Sequence, residues 1–321
     1  MIGNGGYGLS SWRHFADWAK RKPFALKTAD FLGRGRGRLR FLDHLHTPVA
    51  CAVQPDLANW EKQELAACWV GHATVLLRVG GFTILTDPVL SNRVGLGLGL
   101  LTGGPKRLVG PALKVADLPK LDLILISHAH FDHLDRPTLT RLSKNTPVVT
   151  APETGDLVRD LGFRNVAELR WGEKMNVRAM VEPLDRPPLT VTALEADHWG
   201  ARTFFDMHRG YNAYLIESEK HKVLYGGDTA YHEVFKDLPR TDLAILGIGA
   251  YNPYVAAHAT PEQAWQMANH ARAERVLGMH HSTFKLSYEP IAEPLERLKT
   301  VAGKSVDRLI CMDMGAVWLP R

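Results

Sequence analysis

Nine residues, "SHAHFDHLD" at 127–135, bring three histidines and two aspartates together directly behind the apolar run "LDLILI". His128 and His130 are one residue apart and Asp132 and His133 are adjacent, a spacing that a helix would spread around its circumference. A tight loop leaving a strand aims such side chains into one pocket instead. Imidazole is a preferred zinc ligand and carboxylate suits hard or bridging positions, so the chemistry of this stretch is metal binding. Two metals about 3.5–4 Å apart need more ligands than one loop supplies. Three later apolar runs end in such a group: "LTVTALEADH" at His198, "KVLYGGD" at Asp228 and "RVLGMH" at His280. In open α/β sheets ligands gather at the carboxyl ends of strands, and here four strand ends carry His or Asp. A chance surface run of histidines would not have that company.

The elements that must position these residues are legible from about residue 65. "ATVLLRVGGFTILTDP" reads as two strands joined at Gly80-Gly81, a dipeptide suited to a tight hairpin. Further strands are expected at "DLILIS", "PVVTA", "LTVTALEA", "NAYLIES", "KVLYGGD", "LAILGIG", "RVLGMH" and "RLICMDM". Helices are expected at 138–144, 153–161, 231–238, 261–271 and 291–301. Thr260 before Pro261, with Glu262 and Gln263 in the first turn, resembles a helix start. Strands and helices mix along the whole length, which favours an α/β layered architecture.

A chain of 321 residues with 45% hydrophobic content has room for one large domain or two ordinary ones. Cys51, Cys68 and Cys311 are an odd number at wide spacing, suggesting neither a disulfide framework nor a thiolate zinc site and fitting a reducing cytoplasm. No window of eighteen uncharged apolar residues and no signal-peptide pattern is found, so a cytoplasmic protein is expected. The net charge of +5 is concentrated in residues 1–50, where nine Lys or Arg face three Asp. Residues 1–60 therefore read as a basic, partly ordered extension and 61–321 as the catalytic domain. A near-neutral catalytic part argues against nucleic acid as substrate. The extension, "GRGRGRLR" above all, suits either a solvated tail or electrostatic contact with anionic phospholipid, as at a membrane periphery, or with nucleic acid, and composition does not choose between these partners. "SNRVGLGLGLLTGGPKR" at 91–107 reads as a surface loop whose leucines would bury against an acyl chain, a membrane or another subunit.

"SHAHFDHLD" also matches the HxHxDH signature of the metallo-β-lactamase superfamily, and "GGDT" and "GMHH" look like its later motifs. Within it the chain most resembles the N-acyl-phosphatidylethanolamine-hydrolysing phospholipase D group. The blocks "WVGHATVLL", "LTDPVLSNR", "GPKRLVGP", "HWGAR", "GGDTAYH", "IGAYNP", "HATPEQA" and "HHSTF" appear in its order, over roughly residues 69–284. The resemblance implies an αβ/βα four-layer sandwich with two central mixed β-sheets flanked by helices. It implies that His128, His130 and His198 hold one zinc, that Asp132, His133 and His280 hold another, and that Asp228 bridges them. Histidine at position 130, where a diiron branch would carry glutamate, favours zinc, with iron or manganese as alternatives.

The implied reaction is attack of a metal-bridging hydroxide on phosphorus, cleaving N-acyl-phosphatidylethanolamine or a related phospholipid. Asp132, Asp228 and His258 are the expected catalytic residues. Substrate contacts are expected from His258, His281, Trp199 and Arg202, and orienting contacts behind the ligands from Asp87 and His72. Where the group has tryptophan and glycine after the last metal histidine, this chain has His281 and Ser282. A small phosphodiester substrate, a metal-dependent lactonase, a non-catalytic metal-binding sensor and a homo-oligomer stay open. Asp135 falls outside the metal set, as a capping residue before Pro137.

Overall fold

Alternation builds the first strand, β1 (Leu65–Gly71): Leu65, Ala67 and Trp69 enter one core cluster, Ala66, Cys68 and Val70 another. β2 (Thr74–Val79) and β3 (Phe82–Thr86) follow as the expected hairpin, with Gly80 and Gly81 at φ 57° and 79°. The computed structural model describes residues 47–98, 101–180, 187–203 and 205–320. Residues 1–46, most of the basic extension, lie outside that set. Residues 48–60, counted with the extension by sequence, belong to the same compact unit as the rest. Val49 exchanges backbone hydrogen bonds with Leu108 and Gly110, and Cys51 and Trp60 are buried.

The later strands are β4 (Leu96–Leu98), β5 (Leu101–Gly103), β6 (Leu123–Ile126), β7 (Val148–Thr150), β8 (Val166–Glu168) and β9 (Lys174–Asn176). β10 (Thr190–Leu194), β11 (Ala213–Glu217), β12 (Lys222–Tyr225), β13 (Leu243–Gly247), β14 (Arg275–Met279) and β15 (Val317–Trp318) complete them. One mixed sheet runs β15-β1-β2-β3-β6-β7-β8 and the other β14-β13-β12-β11-β10-β9. Their inner faces share one core, in which Trp69, Leu77 and Leu125 join Tyr214, Tyr225 and Ile245. The helices are α1 (Arg136–Arg141), α2 (Gly155–Arg159), α3 (Pro261–His270) and α4 (Glu293–Ala302). Leu139 of α1 and Val158 of α2 cover the outer face of the first sheet; Trp265 and Met267 of α3 and Leu298 of α4 cover that of the second. The result is the four-layer sandwich that the resemblance implies. Among the described residues no helix is long and apolar enough to cross a membrane.

Capping residues set the helix starts. Asp135 accepts a hydrogen bond from the Thr138 amide and caps α1. Thr260 and Gln263 form a reciprocal capping box on α3, with Pro261 in the first turn.

Three expectations change. The helix at 231–238 is only a 3₁₀ turn, Val234–Asp237, long enough to bury Phe235. "RLICMDM" forms no strand: Leu309 makes one bridge to Val276, and Cys311, at φ 48°, turns the chain away. The loop at 91–107 contains the hairpin β4–β5, and its glycines make that possible, since a Cβ on Gly95 would lie 2.0 Å from the Gly103 carbonyl oxygen. Leu96 on this hairpin is exposed.

Candidate metal centre

Strand ends of both sheets converge here. β6 delivers Ser127 to His133, β3 delivers Asp87, β10 leads to His198, β12 to Asp228 and β14 to His280. Gly227 makes the turn before Asp228 at φ 56°, where a Cβ would lie 2.7 Å from that of Ser127. His72, Asp87 and His280 also hold left-handed backbones, a strain that persists where the surroundings over-determine it. Those surroundings are visible at His72: its amide meets the Thr283 hydroxyl, and its carbonyl accepts from the Trp69 indole and the His280 amide.

All seven residues read from the sequence as ligands come together, in two groups. His128, His130, His198 and Asp228 form one, with donor atoms within 4.8 Å of one another; Asp132, His133 and His280, with His72, form the other under the same limit. Asp228 lies between them. Its Oδ2 is 3.0 Å from His133 Nε2, 3.1 Å from His280 Nε2, 3.8 Å from His198 Nε2 and 4.0 Å from His128 Nε2.

The tautomers follow from what each outer nitrogen meets. The Ala257 carbonyl can only accept, so His198 Nδ1, 3.0 Å away, carries the proton and Nε2 turns a lone pair inward. Asp87 Oδ2 accepts from His133 Nδ1 at 2.7 Å, from the Ser127 hydroxyl at 2.6 Å and from Tyr225 OH at 2.6 Å. Ser127 thereby spends its only proton and must accept from His128 Nδ1, 2.9 Å away, which turns His128 Nε2 inward too. One buried carboxylate thus orients a histidine in each group. The expected orienting contact of Asp87 is therefore wider than a single pair, and Ser127 and Tyr225 were not read from the sequence at all. Asp87→Asn puts an N–H among these donors and is expected to weaken metal retention about 10–100-fold. A competition titration against a chromogenic chelator measures this, and wild-type affinity would contradict the relay.

Electrostatics divide the site in two. Burial pulls His128 and His198 well below the ordinary imidazole range and His130 to about 4, so these rings are neutral at pH 7. Burial would lower His133 and His280 as well, but Asp228 and its neighbours hold His133 well above its usual value and His280 at about 9. Asp132 and Asp228 stay well below the usual carboxylate range despite burial, chiefly because His133 is beside them. Neutral rings crowd together: His130 Nδ1 is 2.8 Å from His128 Nε2 and 3.2 Å from His198 Nε2. His130 Nε2 and Asp228 Oδ1 are buried without a hydrogen-bond partner. Three imidazole nitrogens converging on one another beside an unpartnered carboxylate oxygen are a set that a cation satisfies, so the residues fit a bound metal.

The other expected site residues are placed less uniformly. His72 Nε2 is 2.9 Å from Asp132 Oδ2, among the donor atoms of the second group. His258 faces the shared carboxylate, Nδ1 to Asp228 Oδ2 3.7 Å, and burial brings it to about 4. The Trp199 ring lies 4.8 Å from that of His130 and 4.5 Å from that of His198. Arg202 instead braces the ligand loop: Nη1 donates to the Ala129 and Leu134 carbonyls, both at 2.8 Å, and the guanidinium lies over Phe131. The His281 ring is buried against Trp69, 4.6 Å between centroids.

A family profile described as "Beta-lactamase superfamily domain" matches residues 83–281, which contain all seven clustered residues. The "N-acyl-phosphatidylethanolamine-hydrolyzing phospholipase D 1" of Caenorhabditis elegans is 31% identical over 79% of this chain and 75% of its own length. The mitochondrial N-acyl-phosphatidylethanolamine-hydrolyzing phospholipase D of Saccharomyces cerevisiae is 31% identical over 86% of this chain and 59% of its own. Among solved structures, the metallo hydrolase Igni18 of Ignicoccus hospitalis superposes with a TM-score of 0.59 at 20% identity, over 80% of this chain and 98% of that one. That likeness speaks for the fold alone. With the family profile and a relative matched over most of its length, the chain belongs to the β-lactamase superfamily, carries the metallo-β-lactamase fold and is a metal-dependent hydrolase.

Proposed function

We propose that this protein is a di-zinc phosphodiesterase of phospholipase D type, acting on N-acyl-phosphatidylethanolamine or a related phospholipid. The observation that carries the reading is the pair of ligand groups sharing Asp228, joined to the phospholipase D character of the relatives. His128, His130 and His198 would hold one zinc, Asp132, His133 and His280 the other, and Asp228 both. When bound, such a pair generates a nucleophile from water at neutral pH and polarises a phosphoryl oxygen.

The chain's own residues do the rest. Asp132, with 16% of its side chain exposed, is the ligand aspartate that reaches solvent, while Asp228 at 2% does not. Asp132 is thus the carboxylate placed to orient an incoming water, held at Oδ2 by His72. His258 is neutral at pH 7 and meets a phosphate oxygen by hydrogen bonding, not as a charge. Trp199 walls the side of the first group. The basic residues ahead of the compact unit, which begins at Pro48, and the hairpin within 91–107 would give peripheral contact with a phospholipid surface.

The test is to offer the zinc-loaded protein N-acyl-phosphatidylethanolamine, bis(p-nitrophenyl) phosphate and a lactone panel. Release of phosphatidic acid is the expected result. Lactone opening without phosphodiester cleavage would move the reaction to a carboxyl centre, and turnover of none would leave a metal-binding sensor.

A further inference from the structure

Glu289 is a buried carboxylate with no part in the chemistry above, and it holds the loop that runs from β13 to α3. Its Oε1 accepts from the Ala250 amide at 2.7 Å and the Ser287 hydroxyl at 2.5 Å; its Oε2 accepts from the Asn252 amide at 3.1 Å. The amide of Tyr288, the residue before Glu289, donates to the Asn252 carbonyl at 2.9 Å. Ala250 is left-handed at φ 62°, a conformation that an alanine keeps only when its surroundings impose it. A charged acceptor on two amides of one turn is such an imposition. The far end of the loop reaches the metal centre twice. The Ala257 carbonyl receives His198 Nδ1 at 3.0 Å, and His258 Nδ1 lies 3.7 Å from Asp228 Oδ2. The Ala259 amide closes the loop on the Thr229 carbonyl, one residue after Asp228.

We infer that Glu289 is a positioning residue: it sets the turn at Ala250–Asn252 so that the Ala257 carbonyl orients His198 and His258 faces the shared carboxylate. This rests on the metal centre proposed above, and a neutral or shorter side chain at 289 releases both contacts at once.

The test compares the full-length wild type with Glu289→Gln, Glu289→Asp and the double variant Glu289→Gln with Ala250→Gly. Amide exchange over 248–258 reads the loop without metal or substrate. Zinc retention against a chelator and the separate kcat and KM for bis(p-nitrophenyl) phosphate read the site. Glu289→Gln is expected to speed exchange in this segment at least about tenfold, to weaken zinc retention about 10–100-fold, and to lower kcat more than KM changes. Glycine at 250 takes the left-handed turn without strain, so the double variant should recover much of the loss, which general destabilisation would not allow. Should Glu289→Gln fail to fold, Glu289→Asp is read by the same measurements. Unchanged exchange over 248–258, or faster exchange with wild-type zinc retention and kcat, overturns the assignment. A wild type that retains no zinc refutes the metal centre instead, and the exchange rates still decide whether Glu289 holds the loop.

Discussion

Asp228→Asn is expected to lower turnover by about a thousandfold or more while the protein remains folded. Asparagine has the same shape, so the turn behind Gly227 is kept. What is lost is the charge that both histidine groups face and one oxygen of the shared acceptor. Whichever way the new amide points, it sets an N–H donor or a neutral oxygen where Asp228 Oδ2 now stands 3.0 Å from His133 Nε2 and 3.1 Å from His280 Nε2. Metal content should fall with activity, because the proposed bridge serves both metals. Kinetics paired with elemental analysis check this. A variant that keeps two metals and more than a tenth of wild-type turnover would show that Asp228 is no bridge.

Stripping the metal is expected to abolish hydrolysis and to lower Tm by on the order of 10 °C. A ligand held at about a thousandfold above its Kd stabilises the folded state by about 4 kcal/mol, and a chain of this size loses about 2 °C per kcal/mol. Restoring zinc, manganese or iron separately, with calorimetry and activity after each, identifies the metal that suits the site. The direction with pH follows from His133. Asp228 and its neighbours hold its proton well above the ordinary imidazole range, so metal must displace a proton there and retention weakens as pH falls. An unchanged Tm in protein shown to be metal-free, or affinity that rises on acidification, would contradict the centre.

The two sheets were legible because their strands are short apolar runs punctuated by Gly, Pro and Asp, and α3 because its capping box is written in four consecutive residues. What failed was local where the outcome depended on partners. The run at 308–314 has strand composition, but the chain turns at Cys311. The edge strands β8, β9 and β15 are only two or three residues long and carry no fully buried residue, too short for an alternating pattern to register.

The same division holds at the site. By itself the sequence determined which side chains meet: His128, His130, Asp132 and His133 share one loop, and His198, Asp228 and His280 each end an apolar run, so a strand that forms at all delivers its ligand. Only the tertiary structure decided how they are held. Asp87 reaches His133 directly and His128 through Ser127, Arg202 turns to the carbonyls of the ligand loop, His281 packs on Trp69, and Glu289 sets the turn at Ala250. Ligand chemistry belongs to a residue type and survives in a string of letters. An orienting hydrogen bond belongs to a pair of residues, most of them far apart in the chain, and exists only once the elements that carry them have packed together.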